Sequence, residues 1–142
     1  LYPTVHMLVT IPTYRTVTSI ADALKVDDHI ISGIIIFLMN AGLIEEVKGQ
    51  LVPGSTQIHL SKDSPHIRQH HANWRAASVQ FLTSQNDSGV RYSTVSSLSH
   101  DDAEKLKSKL VQVIQEYVET IKPSKEETLY NFNLDFYSLI KK

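Results

Sequence analysis

The stretch from residue 18 to residue 54 constrains the fold more than any other part of the chain. Thr18–Leu24 has apolar residues at helical spacing, with the threonine as its N-terminal cap, and a turn at Asp27 and Asp28 follows. His29–Ala41 continues as a longer and largely apolar helical pattern, capped by one of the two aspartates and ended by Gly42. These spacings and flanking residues predict two consecutive helices separated by a turn.

A β-hairpin is predicted directly after the second of these helices. Residues 43–54 alternate between apolar and polar side chains and turn at Lys48-Gly49. A further helix, Tyr2–Ile11, is expected before them, with a proline tolerated in its first turn. This order of elements is that of a winged helix-turn-helix. The phrases SIADALKV and AGLIEEVKGQLVP resemble the winged-helix pattern of bacterial regulators, which implies a winged-helix-like N-terminal half, residues 1–62.

The second half, residues 63–142, follows a different pattern. Ile67–Leu82 has helical spacing, and Val90–Leu98 is rich in hydroxyl and β-branched residues, which predicts a strand. A capping box at Ser99 opens the clearest helix, which Pro123 ends. Leu129–Ile140 alternates, which predicts a long strand with one buried and one polar face. The predicted fold class is therefore α+β, with an α-β-α-β second half and a small antiparallel sheet, both halves packing as one unit.

Composition excludes several classes of protein. The chain has 142 residues, 42% of them hydrophobic, no cysteine and a formal net charge of -1. It therefore has no disulfide or thiolate site and no global basic field, and no apolar run reaches the roughly 18 residues that a membrane helix needs. We expect a cytoplasmic protein without a membrane partner. Because it begins at Leu1 and not at methionine, we expect a fragment of a longer protein.

Over its whole length the chain resembles an uncharacterised family of bacterial proteins, expanded in predatory and fibre-degrading species. Members are described as transcriptional regulators with a small N-terminal helix-turn-helix followed by a domain of unknown function. The resemblance implies that this chain is the second domain. In the family the middle helix typically reads Ile-Arg-x-Phe-His; Ile67, Arg68 and His71 match it, whereas His70 replaces the aromatic residue. The pieces that carry the resemblance are SIADALKV, AGLIEEVKGQLVP, IRQHH, RYSTVSSLS and YNFNLDFYSLIKK.

The outer face of the predicted recognition helix distinguishes two functions. A DNA-reading helix presents polar and cationic side chains to the bases, and phosphate contacts dominate DNA affinity. This face contains no lysine or arginine, and residues 1–62 carry four cationic side chains against five carboxylates. An apolar face suits a protein interface better. The candidates for DNA binding are His29, Ser32, Asn40 and Lys48, and those for a protein interface are Ile30, Ile36 and Phe37.

No pattern predicts an enzyme or a cofactor site. The chain has neither a Gly-x-Ser-x-Gly elbow nor a phosphate-binding glycine loop. His66 and His70 have a spacing that metal ligands use, but no His-Glu-x-x-His pattern accompanies them, so we expect no metal. His71 shares a stripe with Trp74, which favours a packed core histidine. The hydroxyl-rich strand and the polar residues of the last strand form either a ligand pocket or a solvated sheet face.

We therefore expect the regulatory and dimerisation domain of a bacterial transcriptional regulator, with DNA read mainly by a helix-turn-helix outside this chain. Its expected partners are a second copy, DNA through the full-length protein, and an effector or partner protein that the sequence does not identify. One alternative is DNA binding by this winged helix itself. The other is a protein-protein interaction module unrelated to transcription.

Overall fold

A computed structural model describes residues 1–55, 67–82 and 89–140. These residues form two compact units. The first comprises 1–55 with residues 67–68 and 126–130, and the second comprises 69–82, 89–125 and 131–140. The α+β class is confirmed, since the structure contains α-helices and a small antiparallel two-stranded sheet.

The first unit contains the predicted elements in the predicted order. A 3-10 turn, Pro12–Tyr14, separates its first two helices. In chain order the regular elements are α1 (Tyr2–Leu8), α2 (Val17–Leu24), α3 (Asp28–Asn40), β1 (Ile44–Val47) and β2 (Gln50–Pro53).

Side chains at the N-termini of α2 and α3 determine where these helices begin. Thr16, and not Thr18, caps α2: its hydroxyl accepts from the Ser19 amide at 3.2 Å, and Ser19 Oγ accepts from the Thr16 amide at 3.2 Å. This reciprocal pair is a capping box. Asp27 caps α3, since Oδ1 accepts from the His29 amide at 2.7 Å. The predicted starts were therefore one or two residues late, because both caps lie outside the apolar pattern.

Glycines shape the exit from α3 and the return of the hairpin. Gly42 has a φ of 70° and its amide donates to Met39 O, while the Leu43 amide donates to Leu38 O, which is a Schellman ending. Lys48 and Gly49 both have positive φ, as a two-residue type I′ turn requires. Gly54 then passes so close to the backbone at Gly42 that a Cβ there would clash with it.

One apolar core holds the first unit together. Helix α3 supplies its inner face through Ile31, Ile34, Ile35 and Leu38, as the helical spacing predicts. Helix α1, helix α2 and the hairpin complete it. The other buried members are Val5, Leu8, Val9, Ile11, Ile20, Ala21, Leu43, Ile44 and Leu51.

The second unit is built from two helices, α4 (Ile67–Phe81, from Gln69 onward) and α5 (His100–Ile121). Ser99 caps α5 as predicted, since its hydroxyl accepts from the Asp102 amide at 3.1 Å. The two predicted strands of this half are wrong: residues 89–99 and 129–140 contain no assigned strand. The described sheet is the hairpin of the first unit. A strand requires a neighbouring backbone to pair with, which alternation in the sequence does not supply.

Candidate interaction surface

The exposed face of α3 is mostly apolar. Ile36, Phe37 and Ile30 expose 60%, 56% and 51% of their surface, and Gly33 lies between them on the same face. Opposite positions on the helix form the core, so the 3.6-residue repeat leaves this face toward solvent. All three predicted interface residues are therefore accessible on one side of one helix.

Helix α1 extends this apolar face. The Tyr2 ring packs edge-on against Phe37, with ring centroids 5.1 Å apart and planes inclined by 81°. Aromatic pairs favour this geometry. A shallow open groove passes between the two helices, lined by Leu1, Tyr2, His29, Ile30, Gly33 and Ile34. We call the surface formed by Leu1, Tyr2, Ile30, Gly33, Ile36 and Phe37 the α1–α3 patch.

The four candidate DNA-binding residues do not form one cationic surface. His29 and Asn40 are exposed at opposite ends of α3, and Ser32 is half-buried between them. Lys48 lies on a different element, at the tip of the hairpin. Three of the four have no fixed charge, so they contribute little to phosphate binding.

Carboxylates surround the same region. Asp27 and Asp28 lie at the N-terminus of α3, where they stabilise the positive end of the helix dipole. Thr18 donates to Asp28 Oδ2 at 3.3 Å, which fixes this carboxylate between α2 and α3. Glu45 and Glu46 are exposed on β1, three and two residues before Lys48. Residues 1–55 contain three cationic side chains and five carboxylates, so phosphates would meet net repulsion here.

A second group of polar contacts lies in the second unit. Arg75 of α4 donates from Nε to both carboxylate oxygens of Asp135, at 2.9 and 2.8 Å, and from Nη1 to the His71 carbonyl at 3.0 Å. These hydrogen bonds to Asp135 raise the pKa of Arg75 above its ordinary value. Ser78 Oγ accepts from Asn131 and Asn133 at 3.0 and 2.8 Å. We call the five residues whose side chains make these contacts the α4 clamp: Arg75, Ser78, Asn131, Asn133 and Asp135.

The α4 clamp corrects the expectation for the polar face of residues 129–140. Asn131, Asn133 and Asp135 alternate along the chain as predicted, but they hydrogen-bond to α4 and form neither a ligand pocket nor a solvated sheet face. Phe132, between them, stacks on Tyr117 of α5 with ring centroids 4.6 Å apart. Sequence reasoning missed Arg75; its signal was a cation in a helix that contains no carboxylate to pair with it.

The histidines provide no described metal site. His71 is exposed and contacts the His70 ring edge-on at 6.0 Å, so the predicted core packing of His71 is wrong. It lies one helical position beyond the half-buried stripe of His70, Trp74 and Ser78. His66 lies outside the described residues. Within residues 1–55, 67–82 and 89–140, no group of three or more metal-ligating side chains comes together.

No helix in the described parts of the chain combines the length and the apolar character needed to cross a membrane. A comparison with curated proteins and with solved structures finds no match. A domain family of unknown function, DUF4423, matches residues 1–139, almost the whole chain. Its family description assigns neither an activity nor a ligand. The chain therefore belongs to the DUF4423 family.

Proposed function

We propose that this chain is the regulatory, protein-binding domain of a bacterial transcriptional regulator, and that a helix-turn-helix outside it reads the DNA. The single observation that carries the proposal is the exposed face of α3. In a DNA-reading winged helix this face is polar and cationic. Here Ile30, Ile36 and Phe37 dominate it, and α3 contains no lysine or arginine. The sequence resemblance to regulators supplies the cellular role.

The chemistry of the α1–α3 patch defines the partner that it suits. Exposed Ile and Phe side chains favour burial against apolar residues, at about 25 cal/mol per Å² of surface removed from water. The carboxylates of Asp27 and Asp28 at the end of α3 favour lysine or arginine beside those apolar residues. The partner is accordingly a protein surface with apolar side chains flanked by cations.

Fluorescence anisotropy with a random DNA duplex, at low and at moderate salt, tests whether this chain or a segment outside it binds DNA. The full-length regulator should bind with a salt-dependent affinity, and this chain alone should not bind. If the full-length protein also fails to bind, a module unrelated to transcription is the better assignment. If this chain binds and Lys48→Ala weakens the binding, the winged helix itself reads DNA.

A pair of substitutions tests the α1–α3 patch. Ile36→Asp places a carboxylate in the patch, and Val47→Asp places one on an exposed apolar residue of the hairpin. Both variants should keep the helical circular dichroism of the parent, because neither side chain is in the core. In the full-length regulator, oxidative footprinting should show Phe37 protected in the parent and in Val47→Asp. Ile36→Asp should lose that protection. Equal oxidation of Phe37 in the full-length parent regulator and in this chain alone would contradict docking at the patch.

The alternative, DNA binding by this chain, rests on Lys48. It is exposed at the tip of a hairpin, where a wing contacts the DNA backbone in proteins of that class. His29 and Asn40 on the exposed face of α3 supply hydrogen-bonding groups. One cation next to two exposed glutamates is a weak phosphate-binding site, so this function ranks second.

A further inference from the structure

Residues 92–98 of the second unit have no hydrogen-bonding partner within the described chain. They form neither a helix nor a strand, and every one of them is exposed. No main-chain or side-chain hydrogen bond connects them to another described residue. Tyr92 and Val95 expose 86% and 81% of their surface. The exposed apolar side chains and unpaired main-chain groups of this segment favour contact with another polypeptide.

The composition of this segment is typical of a β-strand. Its seven residues, YSTVSSL, contain a tyrosine, a threonine and a valine, all strand-favouring types, and no glycine or proline. They also contain no charged side chain. Monomeric proteins protect exposed strand edges with lysine, proline or bulges, because an unprotected edge pairs with other chains. None of these protections occurs between Tyr92 and Leu98.

The second unit leaves a large apolar area exposed. None of its described residues is buried. Five of its aromatic residues are between 42% and 86% exposed. At roughly 200 Å² per aromatic side chain, they expose about 600 Å², against the roughly 800 Å² that each partner buries in a standard interface. Exposed valines and isoleucines of α5 add to this area. The five aromatic residues are Phe81, Tyr92, Phe132, Phe136 and Tyr137.

We propose that the second unit is a homodimerisation element in which residues 92–98 pair antiparallel with the same residues of a second copy. A two-fold axis places a segment opposite itself, so an uncharged segment meets no like charge. Its hydroxyl side chains also suit one another, since Thr and Ser form favourable cross-strand pairs. A charged partner segment would find no complement here. This proposal does not depend on the α1–α3 patch.

A proline and an alanine at the same position separate main-chain pairing from side-chain burial. Val95→Pro removes a main-chain hydrogen-bond donor and restricts the backbone. Val95→Ala keeps the donor and leaves the backbone unrestricted, and it removes only side-chain atoms. Sedimentation velocity should show a dimer for the parent. Val95→Pro should raise its dissociation constant by about tenfold or more, from lost ladder hydrogen bonds, and Val95→Ala by less than about threefold. Circular dichroism and Trp74 fluorescence verify that both variants fold.

Cysteine crosslinking gives a second test that does not depend on a disruptive variant. The chain has no cysteine, so single cysteines introduced at 93, 95 and 97 are the only reactive thiols. Near a two-fold axis one of them should form an intermolecular disulfide rapidly, because opposed strand residues lie about 5 Å apart and a disulfide spans about 4.4–6.8 Å. Lys25→Cys on the first unit is the control and should crosslink slowly.

Two results would overturn the proposal. One is a monomer at about 100 µM, far above the concentration at which a standard interface associates. The other is a dimer in which Val95→Pro has no effect and all three cysteines crosslink no faster than the control, since the copies would then meet through another surface.

Discussion

The two units use amphipathic helices in opposite ways. In the first unit, thirteen apolar residues are buried and α3 has a covered face and an exposed face. In the second unit, α5 has an equally clear apolar stripe, but none of its residues is buried. Tyr117 is covered by Phe132, whereas Val113 and Ile121 stay 44% and 50% exposed. An apolar stripe therefore indicates which side of a helix requires a partner, and not whether the same chain provides it.

The sharpest test of this comparison is the same substitution in each unit. Ile31→Ala removes a side chain that is completely buried, and should lower the free energy of unfolding of the first unit by about 2–5 kcal/mol. Ile114→Ala in α5 removes one that is 41% exposed, and should cost about 1 kcal/mol. Urea unfolding followed by circular dichroism measures both, at one fixed protein concentration. Equal losses would mean that α5 is as well covered as α3.

Two glycines of the first unit provide the next test. Gly54→Ala would place Cβ 2.9 Å from the carbonyl carbons of Gly42 and Leu43, and should destabilise the unit by about 1–3 kcal/mol. Gly33→Ala on the exposed face of α3 meets no atom within 4 Å and should stabilise the helix by about 1 kcal/mol. Thermal unfolding of both variants shows whether each substitution lowers or raises the stability of the unit. A stabilised Gly54→Ala would show that Gly54 does not pass the backbone of Gly42 and Leu43 as closely as the structure shows.

The smallest expected effect is a pH dependence of α5. Hydrogen bonds from Lys105 and Ser99 lower the pKa of Asp102 below its ordinary value of 3.8. A carboxyl with a lowered pKa stabilises the helix above the ordinary value, and that contribution is lost as the pH falls through the lowered value. Helicity should therefore decrease below pH 4, and Asp102→Asn should remove that part of the change. Circular dichroism between pH 6 and 2 measures it; an identical profile in the variant would contradict a stabilising role of the Asp102 carboxylate.

Sequence patterns predicted the elements of the first unit well because the signals that define those elements are local. The spacing of Ile31, Ile34 and Leu38, the glycine after α3 and the Lys48-Gly49 turn each determine structure within a few residues. The exposed apolar face followed from the same helical spacing, so Ile30, Ile36 and Phe37 were correctly predicted to be accessible. The starts of α2 and α3 were displaced because Thr16 and Asp27 act through hydrogen bonds and not through apolar periodicity.

The second unit was harder to predict because its contacts join distant segments. Alternation over residues 129–140 correctly separated Asn131, Asn133 and Asp135 from Phe132, but did not reveal which element each side faces. The answer is α4, through Ser78 and Arg75, and the helical spacing of α4 does not indicate which distant residues these two side chains bind. The DNA-binding and interface functions assigned to the exposed residues of the first unit remain predictions.

The α4 clamp has a consequence for folding during synthesis. Arg75 and Asp135 are 60 residues apart in sequence, whereas the described contacts of the first unit lie within residues 1–55 for its helices and hairpin. At roughly 5–20 residues per second, a ribosome needs about 3–12 s to travel from the arginine to its carboxylate partner. The helices and hairpin of residues 1–55 can form during that interval, while α4 emerges without the segment that holds it. Chaperone access to the nascent chain should therefore be greatest between these two residues.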